Sequence, residues 1–165
     1  MTMMQALAAT GRAPEIPPEQ DIYGWLVGSW QLDVVRYGTD VSDRGIRGEA
    51  HFGWVLEGRA VQDVWIMKAE SIVNTYGTTF RMWDPALGAW RVTWTNPISG
   101  RRDELIGRKH GPDLVQIGTH GDGAPIRWIF TDITADSFRW LGEALNPDGN
   151  TWKLEAEFLG RRIGP

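Results

Sequence analysis

From Ser29 onward the chain alternates apolar and polar residues in short runs separated by turn residues. A period of two is the pattern of strands with one buried face, and such runs joined by short turns make an antiparallel meander. Ten runs fit it: residues 29–37, 46–56, 59–68, 75–84, 89–96, 102–109, 113–120, 125–133, 138–145 and 151–161. Their separators are Glu57-Gly58, Asp84-Pro85 with Gly88, Asn96-Pro97 with Gly100, Gly111-Pro112, Gly121-Asp122-Gly123 and Asn146-Pro147-Asp148-Gly149. Each combines residues that preset a turn or accept positive φ. Glycines inside the runs, among them Gly48, Gly77 and Gly142, allow the bends that barrel closure needs. Ahead of the runs, Glu19–Val27 predicts one short helix with Trp25 and Leu26 turned inward. Residues 1–18 read as a flexible tail ending at Pro17 and Pro18, without the basic start of a signal peptide. The predicted fold is all-β: a ten-stranded antiparallel meander barrel with a short N-terminal helix, one domain over residues 19–165.

Register sharpens the pattern, because a one-residue slip exchanges the two faces of a strand. A five-residue loop at 146–150 sets Ala144, Gly142, Trp140 and Phe138 opposite Trp152, Leu154, Ala156 and Phe158, a wholly apolar face. The reverse face then pairs Glu143 with Lys153 and Arg139 with Glu157. A three-residue loop at 135–137 continues the inner face to Phe130, Trp128 and Asp132, and a four-residue loop at 121–124 continues it to Val115, Ile117 and Thr119. Pairing Lys109 with Leu114 then turns Arg108, Ile106 and Glu104 inward. The turn at Glu57-Gly58 sets Trp54 beside Val61, Phe52 beside Asp63 and Ala50 beside Trp65, so Asp63 faces inward too. Around the turn after Asp84 both faces are mixed; the face with Arg81, Trp90, Trp94 and Asn96 is preferred as the inner one.

Composition narrows the function classes. The chain has 165 residues, ten tryptophans, five phenylalanines and no cysteine, which excludes disulfides, thiolate metal ligands and a cysteine nucleophile. A reducing, cytoplasmic setting is the expectation. The net charge is -4, and basic residues cluster no further than the pairs Arg101-Arg102 and Arg161-Arg162, so no basic stripe for nucleic acid exists. No apolar run suits a membrane-spanning helix, and membrane insertion is not expected.

Four stretches, LVGSWQLDV, WVLEGRAVQDVW, YGTTFRMWDPALGAWRVTW and IRWIFTDITADSFRWLGEALNPDGNTWKLEAEF, carry a resemblance. Over about Asp21 to Arg162 the chain resembles a bacterial lipocalin-like (calycin, nitrobindin-like) barrel family of largely unassigned function. It is similar, more distantly, to nitrobindin and to ten-stranded fatty-acid-binding barrels. The resemblance implies a barrel around a ligand cavity, but no single activity. Nitrobindins hold haem through a histidine near the chain's end; here the last histidine is His120, so no haem and no other cofactor is expected.

In these registers His51 and His120 point outward and His110 sits in a turn, none at metal-ligand spacing, so no metal site is expected. The inward ionisable set is Asp63, Glu104, Arg108, Asp132 and Arg81. Buried charges need partners, so these are either internal salt bridges or a polar anchor for a ligand. Under the second reading Arg81, Arg108 and Asp132 join Trp54, Trp65, Trp94, Trp128 and Trp140 as ligand-binding residues. Asp63 or Glu104 would then be a general acid or base if the molecule is turned over. Tyr37 and Tyr76 are possible further hydroxyls. No phosphate-cradling glycine loop and no Gly-x-Ser-x-Gly elbow is present. The leading expectation is binding of a small hydrophobic or aromatic metabolite with an acidic or carbonyl group. The alternatives are a cofactor-free isomerase, cyclase or lyase, and a filled barrel that only scaffolds. Outward Ile129, Leu141, Leu145 and Leu159 suggest a homodimer.

Overall fold

The computed structural model describes residues 1–67 and 75–164. Lys68, the last residue of the expected strand 59–68, and Pro165 lie outside them. In chain order the elements are α1 (Met3–Leu7), β1 (Ala8–Ala9), β2 (Gly28–Tyr37), β3 (Thr39–Asp40), β4 (Arg47–Val55), β5 (Ala60–Met67), β6 (Thr75–Asp84), β7 (Ala89–Asn96), β8 (Arg101–His110), β9 (Asp113–His120), β10 (Pro125–Thr131), β11 (Ser137–Leu145) and β12 (Trp152–Arg162). β4 to β12 pair in sequence order, all antiparallel. β2 lies between β12 and β4 and closes the sheet into a ten-stranded meander barrel. The two-residue strands β1 and β3 add to β4 and β2.

The short helix is not where the periodicity places it. It spans Met3–Leu7, held by a capping box between Thr2 and Gln5. Residues 19–27 instead form two 3-10 turns, Pro18–Gln20 and Gly24–Leu26. They are separated at Asp21 and Ile22, where the Asp21 carboxylate accepts the Gly24 N–H at 2.9 Å. The segment before Pro17 packs on the barrel: Leu56 N–H donates to the Leu7 carbonyl, Ala13 N–H donates to the Gly58 carbonyl, and Ala13 and Ile16 are buried. Gly58 takes a positive φ of 82°, and a Cβ there would collide with the Gly11 carbonyl.

Three registers match the expected ones, the pairing of Lys109 with Leu114 among them. β4 and β5 pair Trp54 with Val61, Phe52 with Asp63 and Ala50 with Trp65. β6 and β7 pair Trp83 with Trp90 and Arg81 with Val92, and Arg81, Trp90 and Asn96 are buried. The mixed faces of β6 are resolved by its neighbour: inward Asp63 on β5 needs a cation, and Arg81 supplies it.

Four other assignments are corrected. β9 and β10 pair Thr119 with Pro125, one residue away from the expected register. Leu114, Gln116 and Gly118 therefore face inward, while Val115, Ile117 and Thr119 face outward. β9 carries apolar residues on both faces, so the turn decides: His120 N–H donates to the Ala124 carbonyl, and Gly123 N–H, at a φ of 87°, donates back to the His120 carbonyl. The Lys109–Leu114 pairing holds, and β8 inherits the flip: Asp103, Leu105 and Gly107 are inside, Glu104, Ile106 and Arg108 outside. On β12 a bulge at Glu155 changes the face mid-strand. None of the four expected pairs across this hairpin holds: Trp140 opposes Phe158, Gly142 opposes Ala156 and Phe138 opposes Gly160, although Ala156 and Phe158 still point inward. Trp152 and Leu154 point outward, and Lys153 opposes Ala144. Glu143 therefore meets Arg127 rather than Lys153; Arg139 opposes Leu159 instead of Glu157, but reaches Glu157 diagonally at 3.5 Å. Asp132 sits just past β10 at a φ of 50°, exposed and 3.4 Å from Arg139.

Aromatic residues plug one end of the barrel. Trp25 meets Trp30, Phe130 and Phe138 edge to face, with ring centres about 6 Å apart. Trp30 and Trp90 donate to the carbonyls of Leu26 and Gln20 in the two 3-10 turns, tying those turns across the barrel end. Tyr23 enters where β8 has Gly107, since a Cβ there would collide with its hydroxyl.

Candidate functional site

The opposite end opens into a cavity of about 470 Å³. Its aromatic wall comes from Trp65, Trp94, Trp128, Trp140 and Phe158 on five different strands, with Trp140 stacked on Phe158 at 5.2 Å. The alternation of each strand sends these rings inward together. Thr79 and Arg81 add polar wall. Tyr37, Arg101, His120 and Lys153 stand in the same lining.

One ring of cross-strand neighbours organises the polar groups. From β4 to β9 it runs Phe52, Asp63, Thr79, Trp94, Asp103, His120. Asp63 is buried and spent locally: one oxygen accepts from Arg81 at 2.7 Å, the other from the Thr79 backbone N–H at 2.8 Å. Arg81 also lies over the rings of Tyr23 and Phe52. Tyr23 donates to Gln116 at 3.0 Å, and burial pushes its phenol well above the ordinary value, against the nearby Arg81 charge. It therefore remains a donor at any ordinary pH.

Three buried donors have no hydrogen-bond partner among the described residues: Trp65 Nε1, Arg81 Nε and Gln116 Nε2. Leaving such a group unpaired costs about 1–3 kcal/mol. Trp65 and Arg81 belong to the cavity wall.

The second polar group lies at the mouth. Asp103 is fully buried, with one oxygen 2.8 Å from His120 Nδ1 and the other 2.8 Å from Arg101 Nε. This corrects the outward placement of His120. His51 does face outward, bonded to Ser29 and Glu49, and His110 is exposed.

Of the residues singled out from sequence, Trp65, Arg81, Trp94, Trp128 and Trp140 line the cavity together. Trp54 is buried but outside that lining. Glu104 and Arg108 are outside the barrel, Glu104 paired with Arg102, and neither reaches the cavity. Asp132 is exposed beyond the far end of its strand. Tyr37 lines the cavity and Tyr76 is exposed. Asp103, His120, Arg101 and Lys153 were missed. The signal for the first two was present: Asp103 and Glu104 are adjacent, and one slip of the strand decides which is inside.

Among the described residues no three His, Asp or Glu side chains gather as metal ligands, and no helix is long and apolar enough to cross a membrane. Fold and site together define a class: a closed ten-stranded antiparallel barrel, consistent with calycin and lipocalin-like architecture, around an aromatic-walled cavity. Beyond that class, the chain matches no known family model and no curated protein.

Proposed function

We propose that the barrel binds a small, mostly apolar or aromatic molecule bearing a carbonyl or carboxylate oxygen. The observation that carries this reading is the pair of unpartnered donors, Trp65 Nε1 and Arg81 Nε, buried in residues of the cavity wall. A small shift of either side chain on binding would bring its donor to an acceptor on the bound molecule, while Trp94, Trp128 and Trp140 stack on its apolar body. A volume near 470 Å³ lies in the range of small-molecule sites. The lipocalin-like resemblance supports the same reading, and a cytoplasmic, cofactor-free carrier or sensor is the form we infer.

Native mass spectrometry of the purified chain should show a co-purified small molecule. Tryptophan fluorescence should respond to titration with a panel of aromatic acids, ketones and fatty acids. Trp65→Phe keeps most of the ring but removes the N–H, and affinity should fall about tenfold, the worth of one hydrogen bond. A protein that carries nothing and responds to no panel member would overturn the reading. Ile129 and Leu141 are direct neighbours on the outer wall of β10 and β11, which supports the proposed dimer. Sedimentation showing only monomer at high micromolar concentration would overturn it.

A further inference from the structure

The interior ring ends in the pair Asp103 and His120. We infer that His120, held by Asp103, transfers a proton on the molecule bound in the cavity, so that the barrel catalyses enolisation next to a carbonyl. The inference rests on the binding reading above and adds chemistry to it.

Register places Asp103 of β8 directly opposite His120 of β9, both on the inner face. Asp103 has no solvent exposure, while the His120 side chain keeps 22% of its own and lines the cavity mouth. A buried carboxylate 2.8 Å from Nδ1 accepts the Nδ1–H and so keeps the ring proton on that nitrogen. The lone pair is thereby left on Nε2. Arg101 Nη2 lies 2.9 Å from Nδ1 and 3.3 Å from Nε2, on a side chain that is 45% exposed and anchored to Asp103 through Nε, so its contact with Nε2 is the longer one and the one a bound molecule would replace. The charged groups facing His120 are Asp103 and Arg101, both from β8; on its other side β10 begins with Pro125 and Ile126. Asp63, by contrast, has both oxygens committed to Arg81 and Thr79.

The step balances without a co-reactant. His120 Nε2 takes the proton from the carbon next to the carbonyl. The C–H electron pair becomes a C=C bond, and the carbonyl π pair moves to oxygen, where Arg101 is the available cation. Asp103 stabilises the imidazolium. The same proton is then delivered to the oxygen, giving the enol, or to a conjugated carbon, giving a shifted double bond.

The test uses the full chain with phenylpyruvate, an aromatic 2-oxo acid whose enol and keto forms differ in ultraviolet absorbance, and with 2-tetralone in heavy water, read by deuterium uptake. Tryptophan fluorescence measures binding of both probes in parallel. The wild type should accelerate at least one reaction. His120→Gln should lower kcat about a hundredfold or more with binding unchanged. Asp103→Asn should lower kcat and move the acid limb of its pH profile to lower pH, because the imidazolium loses its counter-charge; a purely structural Asp103 would not move that limb. Probes that bind without turnover, or a His120→Gln protein with full rate, would overturn the inference and leave the binding reading standing. Binding of neither probe overturns it as well. The binding reading then falls too only if native mass spectrometry and the wider panel are also blank.

Discussion

The two ends of this barrel are built from the same ten strands and treat polar groups in opposite ways. At the closed end the inward indole donors are answered. Trp30 and Trp90 donate to the carbonyls of Leu26 and Gln20, and Arg162 donates to those of Val27 and Trp25 while lying 4.2 Å over the Trp30 ring. At the open end Trp65 and Arg81, two residues of the cavity wall, keep buried donors without partners among the described residues, and an Asp–His–Arg group stands at the mouth. The first arrangement maximises stability. The second gives some of it up, which natural proteins do where a ligand completes the site.

Between the ends sits the Asp63–Arg81 pair, almost without solvent exposure. Arg81→Leu should have the largest effect, a loss of about 3–5 kcal/mol, because it strands a buried carboxylate. Changing Asp63 and Arg81 together to apolar residues should restore most of it. Denaturant midpoints measure both, and an Arg81→Leu protein as stable as wild type would mean that the pair is hydrated.

Truncating one tryptophan at each end separates the regions directly. Trp30 is fully buried among Trp25, Phe138 and Arg162, so Trp30→Ala should cost about 3–5 kcal/mol. Trp140 has one side on the cavity and leaves no new void there, so Trp140→Ala should cost less than half as much yet weaken binding more. Equal destabilisation would erase the distinction between plug and wall.

Acid provides a smaller test. Asp84 closes a hairpin at the plugged end and Asp148 one at the open end, and both carboxyls are held below the ordinary value of 3.8. For Asp84 the first cause is Arg91, for Asp148 the Thr151 hydroxyl. A carboxyl whose folded pKa is depressed adds stability above its ordinary value and loses it as pH falls through the folded pKa. Both contributions therefore fade below pH 3.8. Asp148→Asn and Asp84→Asn should each flatten the fall of the urea midpoint in that window. Salt should weaken the Asp84 contribution alone, because only that one rests on a cation. Smallest of all is Arg108→Leu: on the outer face it should shift stability by no more than about 0.5 kcal/mol and leave binding intact.

Legibility from the sequence varied strand by strand, and for one reason. Where a strand has one clearly apolar face, or a turn permits a single register, the inner residues could be named. Trp54, Phe52, Ala50, Asp63 and Trp65 follow from the turn at Glu57-Gly58; Arg81 was a preference between two mixed faces, and only the structure shows its reason, Asp63 beside it. Where both faces are apolar, as in Leu114-Val115 and Ile117, the pattern does not choose, and a turn one residue shorter inverts two strands. That inversion exchanged Glu104 and Arg108 for Asp103 and His120. The bulge at Glu155 was invisible for the same reason: either side of it reads as good strand.

Alternation, turn chemistry and the absence of cysteine were enough to determine an all-β meander, its ten strands and most of its aromatic interior, because these depend on period and on local backbone preference. Tertiary structure alone decided which end is plugged, which donors go unpaired and which carboxylate meets a histidine. Those depend on a single residue of register and on contacts between distant segments, such as Tyr23 against Gly107 and Arg162 against Trp30, which no local pattern encodes.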